Sequence, residues 1–245
     1  MDPLFRSPMY TFDPLEDGKS HLSLLGVLGS DKDVVEDART SYAKDRTEEY
    51  TASDAKLLRY LLEHDHTSPL RGSVMKFRIK APLFICRQWW KHAIASAHAE
   101  EQVGWNEQSF RYTEALDSSD FYLPETFRLQ GRTNKQGSGE DIEDPTLANV
   151  SYDTYFRQCE ASYRAYSQLI EMGVSRELAR GVLVPAFYTT WIWTASLQSV
   201  LNFVYLRRTN HAQLEIREYS GCIEMCLDDW FPDTWRAFRQ FKLGE

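Results

Sequence analysis

The stretch Cys86–Tyr112 gathers Arg87, Gln88, Lys91, His92, Asn106, Glu107, Gln108, Ser109 and Arg111 around Trp89, Trp90 and Trp105. A purely structural helix rarely needs so many hydrogen-bonding groups. A phosphorylated, aromatic ligand does: cations and a hydroxyl hold phosphate, amides read a base edge, and indoles flank flat rings. Further along, Arg207 and Arg208 close an apolar run that contains Asn202, and His211 follows. Two cations at a helix C-terminus also offset the helix dipole, which is a structural role. Asn202 resists that explanation, because a buried amide is costly without partners. Arg180, four residues after Arg176, fits a solvated face; His66 and Ser68 before Pro69 fit a turn; His92 beside two tryptophans fits a core histidine. Taken together these groups favour a site that grips a nucleotide.

Several chemistries are excluded or disfavoured. No Gly-rich phosphate loop, dinucleotide-binding fingerprint or G-x-S-x-G elbow is present. Cys86, Cys159, Cys222 and Cys226 are scattered without C-x-x-C spacing, and each sits in an apolar helical context. Neither a metal site nor a thiol nucleophile is expected from them, and reduced thiols fit a cytoplasmic compartment. The hard chemistry is therefore expected to come from a bound cofactor. The formal charge of −8 disfavours a nucleic-acid surface without excluding a local basic pocket. No apolar run reaches the roughly 18–20 residues of a membrane span. The start M-D-P-L-F-R-S-P lacks the form of a signal peptide.

The elements that must position these groups follow from patterning. At 245 residues with 42% hydrophobic composition, one α+β domain over 1–245 is expected. Residues 1–20 read as an irregular lead-in and His21–Leu28 as a strand. Ser30 and Asp31 cap a helix through about Ala43, and a second helix starts near Ser53 with Leu57, Leu58, Leu61 and Leu62 buried. Ser73–Lys80 alternates as a half-buried strand that Pro82 breaks, and Leu83–His92 reads as a helix. Residues 131–145 are polar and read as a mobile loop. The second half is expected to be mostly helical: a long helix from Thr146 to Met172 stopped by Gly173, a short one capped by Ser175, then helices Thr189–Arg208 and Ala212–Trp230.

Four blocks carry a family resemblance, in order: H-x-S-P at 66–69, R-Q-W-W-K-H at 87–92, N-E-Q-S-F-R-Y at 106–112, and E-L-A-R at 177–180 followed by N-F-x-x-L-R-R-x-x-H-A-Q-x-E-I-R-E-Y at 202–219. The chain resembles the flavin-dependent thymidylate synthases over roughly residues 20–230. The resemblance implies a single α+β domain with a twisted antiparallel sheet and several long helices, assembled as a homotetramer with shared active sites. It implies conversion of dUMP to dTMP with methylenetetrahydrofolate as carbon donor. NADPH reduces the bound FAD, which then supplies a hydride, and no enzyme cysteine attacks the uracil. Carried over by position, Gln88, Lys91, Glu107, Gln108, Ser109, Phe110, Arg111, Arg180 and Arg207 fall where the family binds dUMP. Arg207 is then the catalytic residue, favouring ionisation at uracil N3, and Ser109 and Arg111 suit the phosphate. His66, Ser68, Lys91, His92, Ala93, Asn106, Glu107, Ser196, Gln198, Asn202 and His211 fall in the FAD-contacting region.

The chain departs from the family in places. Its signature R-H-R reads Lys91-His92-Ala93 here, and about eight residues, Ala97–Gly104, stand inserted before Trp105. Ala93 cannot supply a guanidinium fork, and Lys91 keeps charge without it. Phe110 replaces what is often a small residue, and Ser196 and Gln198 stand where Asn and Arg are frequent. His98, Glu100 or Glu101 are candidates to replace lost contacts. The departures keep two other readings open: methylation of a related pyrimidine nucleotide such as UMP, and a non-catalytic nucleotide- or RNA-binding relative.

Overall fold

Met75, Phe77 and Ile79 are fully buried while Lys76 and Arg78 stay exposed, so the alternating segment is a strand with one face in the core. The computed structural model describes residues 10–41, 49–92, 104–114, 117–132 and 137–245. Five strands form one sheet: β1 (Thr11–Phe12), β2 (His21–Leu28), β3 (Val74–Pro82), β4 (Trp105–Glu107) and β7 (Tyr188–Ser196), in the order β1-β2-β3-β7-β4. Every neighbouring pair is antiparallel. A separate two-stranded ribbon pairs β5 (Arg128–Gln130) with β6 (Ser138–Asp141). The helices are α1 (Asp31–Thr40), α2 (Ala52–Glu63), α3 (Leu83–Trp90), α4 (Pro145–Glu171), α5 (Arg176–Ala179), α6 (Leu197–Arg207), α7 (Leu214–Trp230) and α8 (Pro232–Phe238). The fold class is α+β, as expected.

The largest correction concerns residues 188–207. Thr189–Arg208 is not one helix: Tyr188–Ser196 is the strand between β3 and β4, and only Leu197–Arg207 is helical. The run Thr-Thr-Trp-Ile-Trp-Thr is aromatic and β-branched, the composition that packs on a pleated surface. Its period of two buries Trp191, Trp193 and Ala195. Trp193 lies opposite Phe77 and Trp191 opposite Ile79. Ser196 ends the strand and starts the helix, its hydroxyl accepting from the Ser199 N–H at 3.2 Å.

Smaller differences have local causes. Pro82 does not break β3; it is the last paired residue, opposite Tyr188, because a strand end needs no N–H donor there. The lead-in holds β1, and the 131–145 segment holds β6, so neither is irregular throughout. Residues 1–9 and 133–136 lie outside the described residues. α1 stops at Thr40, and Ala43 lies outside the described residues. Gly173 sits just past α4 at φ +81°, a left-handed conformation that favours glycine.

Asp31 joins the two ends of the chain. α8 begins after Phe231, whose side chain cannot cap a helix, with Pro232 in the first turn. The Asp31 carboxylate instead accepts from the Asp233 N–H at 2.8 Å, the Thr234 N–H at 3.0 Å and the Thr234 hydroxyl at 2.6 Å. Thr234 is fully buried, so water cannot replace the carboxylate. Asp31→Ala is expected to cost about 2 kcal/mol and lower Tm by about 5 °C, readable in a thermal melt. An unchanged Tm would remove Asp31 from this role.

Candidate active site

The site grows from an aromatic stack beneath α3. Trp89 is fully buried and stacks on Phe203 of α6 with centroids 4.2 Å apart, while meeting Trp191 and Trp193 edge-on at 5.5 and 5.4 Å. Such contacts hold α3 and α6 in fixed relation to the sheet. His92, two residues beyond α3, lands edge-on to Phe203 at 4.9 Å and is only 4% exposed. Its Nε2 accepts from Arg207 Nε at 2.7 Å. An accepting Nε2 requires the neutral ring in that contact.

Arg207 ends α6 half-buried, and that burial lowers its pKa from the ordinary guanidinium value. With Nε committed to His92, its Nη groups remain for a ligand. On α3, Gln88 Nε2 donates to Gln213 Oε1 at 2.6 Å. The Lys91 side chain is exposed, and its backbone N–H closes the helix on Gln88 O at 3.3 Å. His211 lies exposed in the turn between α6 and α7.

Glu107 is set by β4. Its pairing with β7 puts it opposite Trp191 and Asn106 opposite Ile192. Both carboxylate oxygens are held: Thr189 Oγ1 donates to Oε1 at 3.1 Å, and Trp105 Nε1 to Oε2 at 3.4 Å. Gln108 continues the strand through its N–H to Thr190 O at 2.8 Å. Ser109 Oγ then accepts from Arg111 Nε at 3.2 Å, and Arg111 is exposed with Phe110 half-buried. Arg180 is also exposed, in a short 3₁₀ turn after α5. Its segment is tied to the Arg111 loop by the Arg176–Glu114 ion pair at 2.7 Å.

A second locus lies along the other half of α6. His66, Gln198, Asn202 and Lys242 rim a groove with about 650 Å³ of open space, floored by Leu201 and Phe238. An apolar floor with a few polar groups suits part of a flat, amphipathic dinucleotide cofactor. Ser68 adjoins it, exposed at the start of a 3₁₀ turn, Ser68–Arg71. Ser196 is engaged in capping α6. Gln198 and Arg207 sit nine positions apart on one helix, so about 14 Å separates the two loci along its axis. Ala93 and inserted residues 97–103, with His98, Glu100 and Glu101, lie outside the described residues; Gly104 accepts from the Thr194 N–H at 2.8 Å.

Thr189, Tyr205, Arg71 and Lys242 had no distinguishing motif; each acquires a place only through folding. The cysteine reading gains support. Burial pushes the thiols of Cys222 and Cys226 up to about 12 and that of Cys159 up to about 11. Cys86 is raised too, by burial first and then by the Glu107 carboxylate. Raised thiols are poor nucleophiles at neutral pH.

Residues 23–233 match the Thy1 family, described as thymidylate synthase complementing protein. A flavin-dependent thymidylate synthase of Kosmotoga olearia is 39% identical over 223 residues, covering 91% of each chain. One from Thermus thermophilus is 37% identical over 226 residues, covering 92% of this chain and 77% of the relative. Among solved structures, the UMP/dUMP methylase PolB of Streptomyces cacaoi bound with 5-Br dUMP is 28% identical with a TM-score of 0.75, covering 90% of this chain and 95% of that one. The same enzyme bound with 5-Br UMP gives 26% identity and a TM-score of 0.73, covering 90% and 94%.

Proposed function

We propose that this chain, which belongs to the Thy1 family of flavin-dependent thymidylate synthases, makes dTMP from dUMP with methylenetetrahydrofolate and NADPH as co-substrates. The observation that carries the reading is the Arg207–His92 contact at 2.7 Å, which fixes a half-buried guanidinium at the end of the helix that also lines the groove. FAD, when bound, supplies the hydride chemistry. His66, Ser68, Gln198 and Asn202 would hold part of it along the groove, with Lys91, His92, Ala93, Asn106, Glu107, Ser196 and His211 completing its surroundings.

The remaining work belongs to side chains. Arg207 turns its Nη groups to the pyrimidine edge and stabilises negative charge at N3 without giving up a proton. His92 keeps that guanidinium in place. Gln88, Lys91, Glu107, Gln108 and Phe110 orient the nucleotide, and Ser109, Arg111 and Arg180 take its phosphate. By the family resemblance, neighbouring subunits of a homotetramer complete the sites. Leu147 and Val150, 46% and 57% exposed on α4, supply apolar surface for that assembly. No helix among the described residues is long and apolar enough to cross a membrane. The free thiols of Cys86, Cys159, Cys222 and Cys226 support a reducing, cytoplasmic compartment.

Purified protein incubated with FAD and then freed of unbound flavin is expected to retain a flavin absorption band. With methylenetetrahydrofolate and NADPH it should form dTMP from dUMP. Dominant turnover of UMP would replace the substrate assignment with the second reading. That reading draws on the Lys91-His92-Ala93 departure and on the likeness to a UMP/dUMP methylase. A colourless protein without substrate-dependent NADPH oxidation would overturn both.

A further inference from the structure

Beside the flavin-side groove, bonded to its lining residue Gln198, stands a cation that no acidic group among the described residues pairs with. Arg71 ends the 3₁₀ turn that follows the groove residues His66 and Thr67, and its side chain is exposed. Its Nε donates to Gln198 Oε1 at 2.8 Å, across 127 positions of sequence. Gln198 is neutral, so the contact fixes direction and leaves the charge uncompensated. No ion pair among the described residues includes Arg71. The cation that does line the groove, Lys242, is already paired with Asp65, another lining residue, at 2.5 Å.

A guanidinium anchored through Nε retains its Nη donors in one plane, which is the geometry for two oxygens of a phosphate. Anchoring also removes part of the rotamer entropy that an exposed arginine would otherwise lose on binding. The partner that fits is an anion at the mouth of an apolar groove.

We propose that Arg71 is the phosphate-recognition residue of this groove, holding the diphosphate linkage of the dinucleotide cofactor from a position fixed by Gln198. This rests on the reading of the groove as the FAD site and assigns its anion contact to a residue outside the family blocks. Arg71 stands in for the guanidinium that position 198 lacks. It selects FAD over flavins without phosphate, and its contribution weakens with salt because the contact lies at the surface.

The test titrates the full-length apoprotein with FAD and, separately, with riboflavin, following flavin fluorescence. Arg71→Gln is expected to weaken FAD binding about tenfold to a hundredfold, the range for a hydrogen bond to a charged group, and to leave riboflavin unchanged. The variant should also flatten the salt dependence of the FAD Kd. A second variant, Asn202→Tyr, fills the groove and should weaken both flavins. If Asn202→Tyr weakens both while Arg71→Gln changes neither, the Arg71 assignment is overturned and the groove reading stands. Equal weakening of both flavins by Arg71→Gln would make Arg71 a structural residue and overturn the proposal. FAD binding unaffected by either variant would overturn the groove reading as well.

Discussion

Arg207→Ala is expected to lower kcat by about a hundredfold to a thousandfold, the usual loss when one preorganised donor to a developing anion is removed. On the proposed reading this guanidinium faces the pyrimidine. It is half-buried, and His92 orients it through Nε. In a site of reduced polarity its charge is worth more than in water. Arg207→Lys tests geometry separately from charge, since an ammonium keeps the charge and loses the planar fork. The lysine variant should recover little of the rate. Circular dichroism should stay close to wild type in both, because neither removes core packing, while Tm falls by a few degrees in Arg207→Ala for the lost His92 contact. Wild-type kcat in Arg207→Ala would end its assignment as the catalytic residue.

Arg128→Ala is expected to have the largest effect on stability. Glu215 on α7 is 3% exposed, and its carboxylate accepts from Arg128 of β5 and from the Tyr122 hydroxyl, the latter at 3.1 Å. Removing Arg128 strands a buried carboxylate, which costs about 3–5 kcal/mol and lowers Tm by roughly 10 °C for a chain of this size. The pH dependence identifies the cause. Burial works to raise the Glu215 pKa, but the Arg128 hydrogen bond and charge outweigh it, and the net shift is downward. A carboxylate lowered on folding contributes stability above its unfolded value of about 4.3, and that stability is lost as pH falls through the folded value. In Arg128→Ala burial is opposed only by the hydrogen bonds from Tyr122, Gln213 and the backbone, so the folded pKa rises and the stability gap to wild type should narrow as the medium is acidified. Parallel Tm–pH curves for the two proteins would show that the ion pair is not responsible. The double variant Arg128→Met with Glu215→Leu should recover much of the loss, since a well-packed apolar pair can replace a buried ion pair.

Legibility in the sequence depended on distance along the chain. β3, α2, α4 and α7 could be read because their burial patterns repeat within one segment, and β2 because it is an apolar run of strand length. The 188–207 run was misread because a strand passes into a helix without a break: Ser196 ends one and caps the other, and both are apolar. The alternation of Trp191 and Trp193 with Ile192 and Thr194 carried the strand signal. β4 is only three residues long and gains its identity by pairing with β7. No local pattern could have revealed it.

The blocks around Gln88, Glu107, Arg180 and Arg207 were sufficient to indicate a nucleotide enzyme, because those side chains carry their hydrogen-bonding chemistry wherever they are placed. Folding decided how they act. It put His92 against Arg207, Thr189 against Glu107 and Arg71 against Gln198, contacts spanning 115, 82 and 127 positions. Which oxygen meets which donor depends on strand register and helix packing, and both are set by burial of the tryptophan core. Residue types thus determined what reactions are within reach, while the packed core decided which groups are held still enough to perform them.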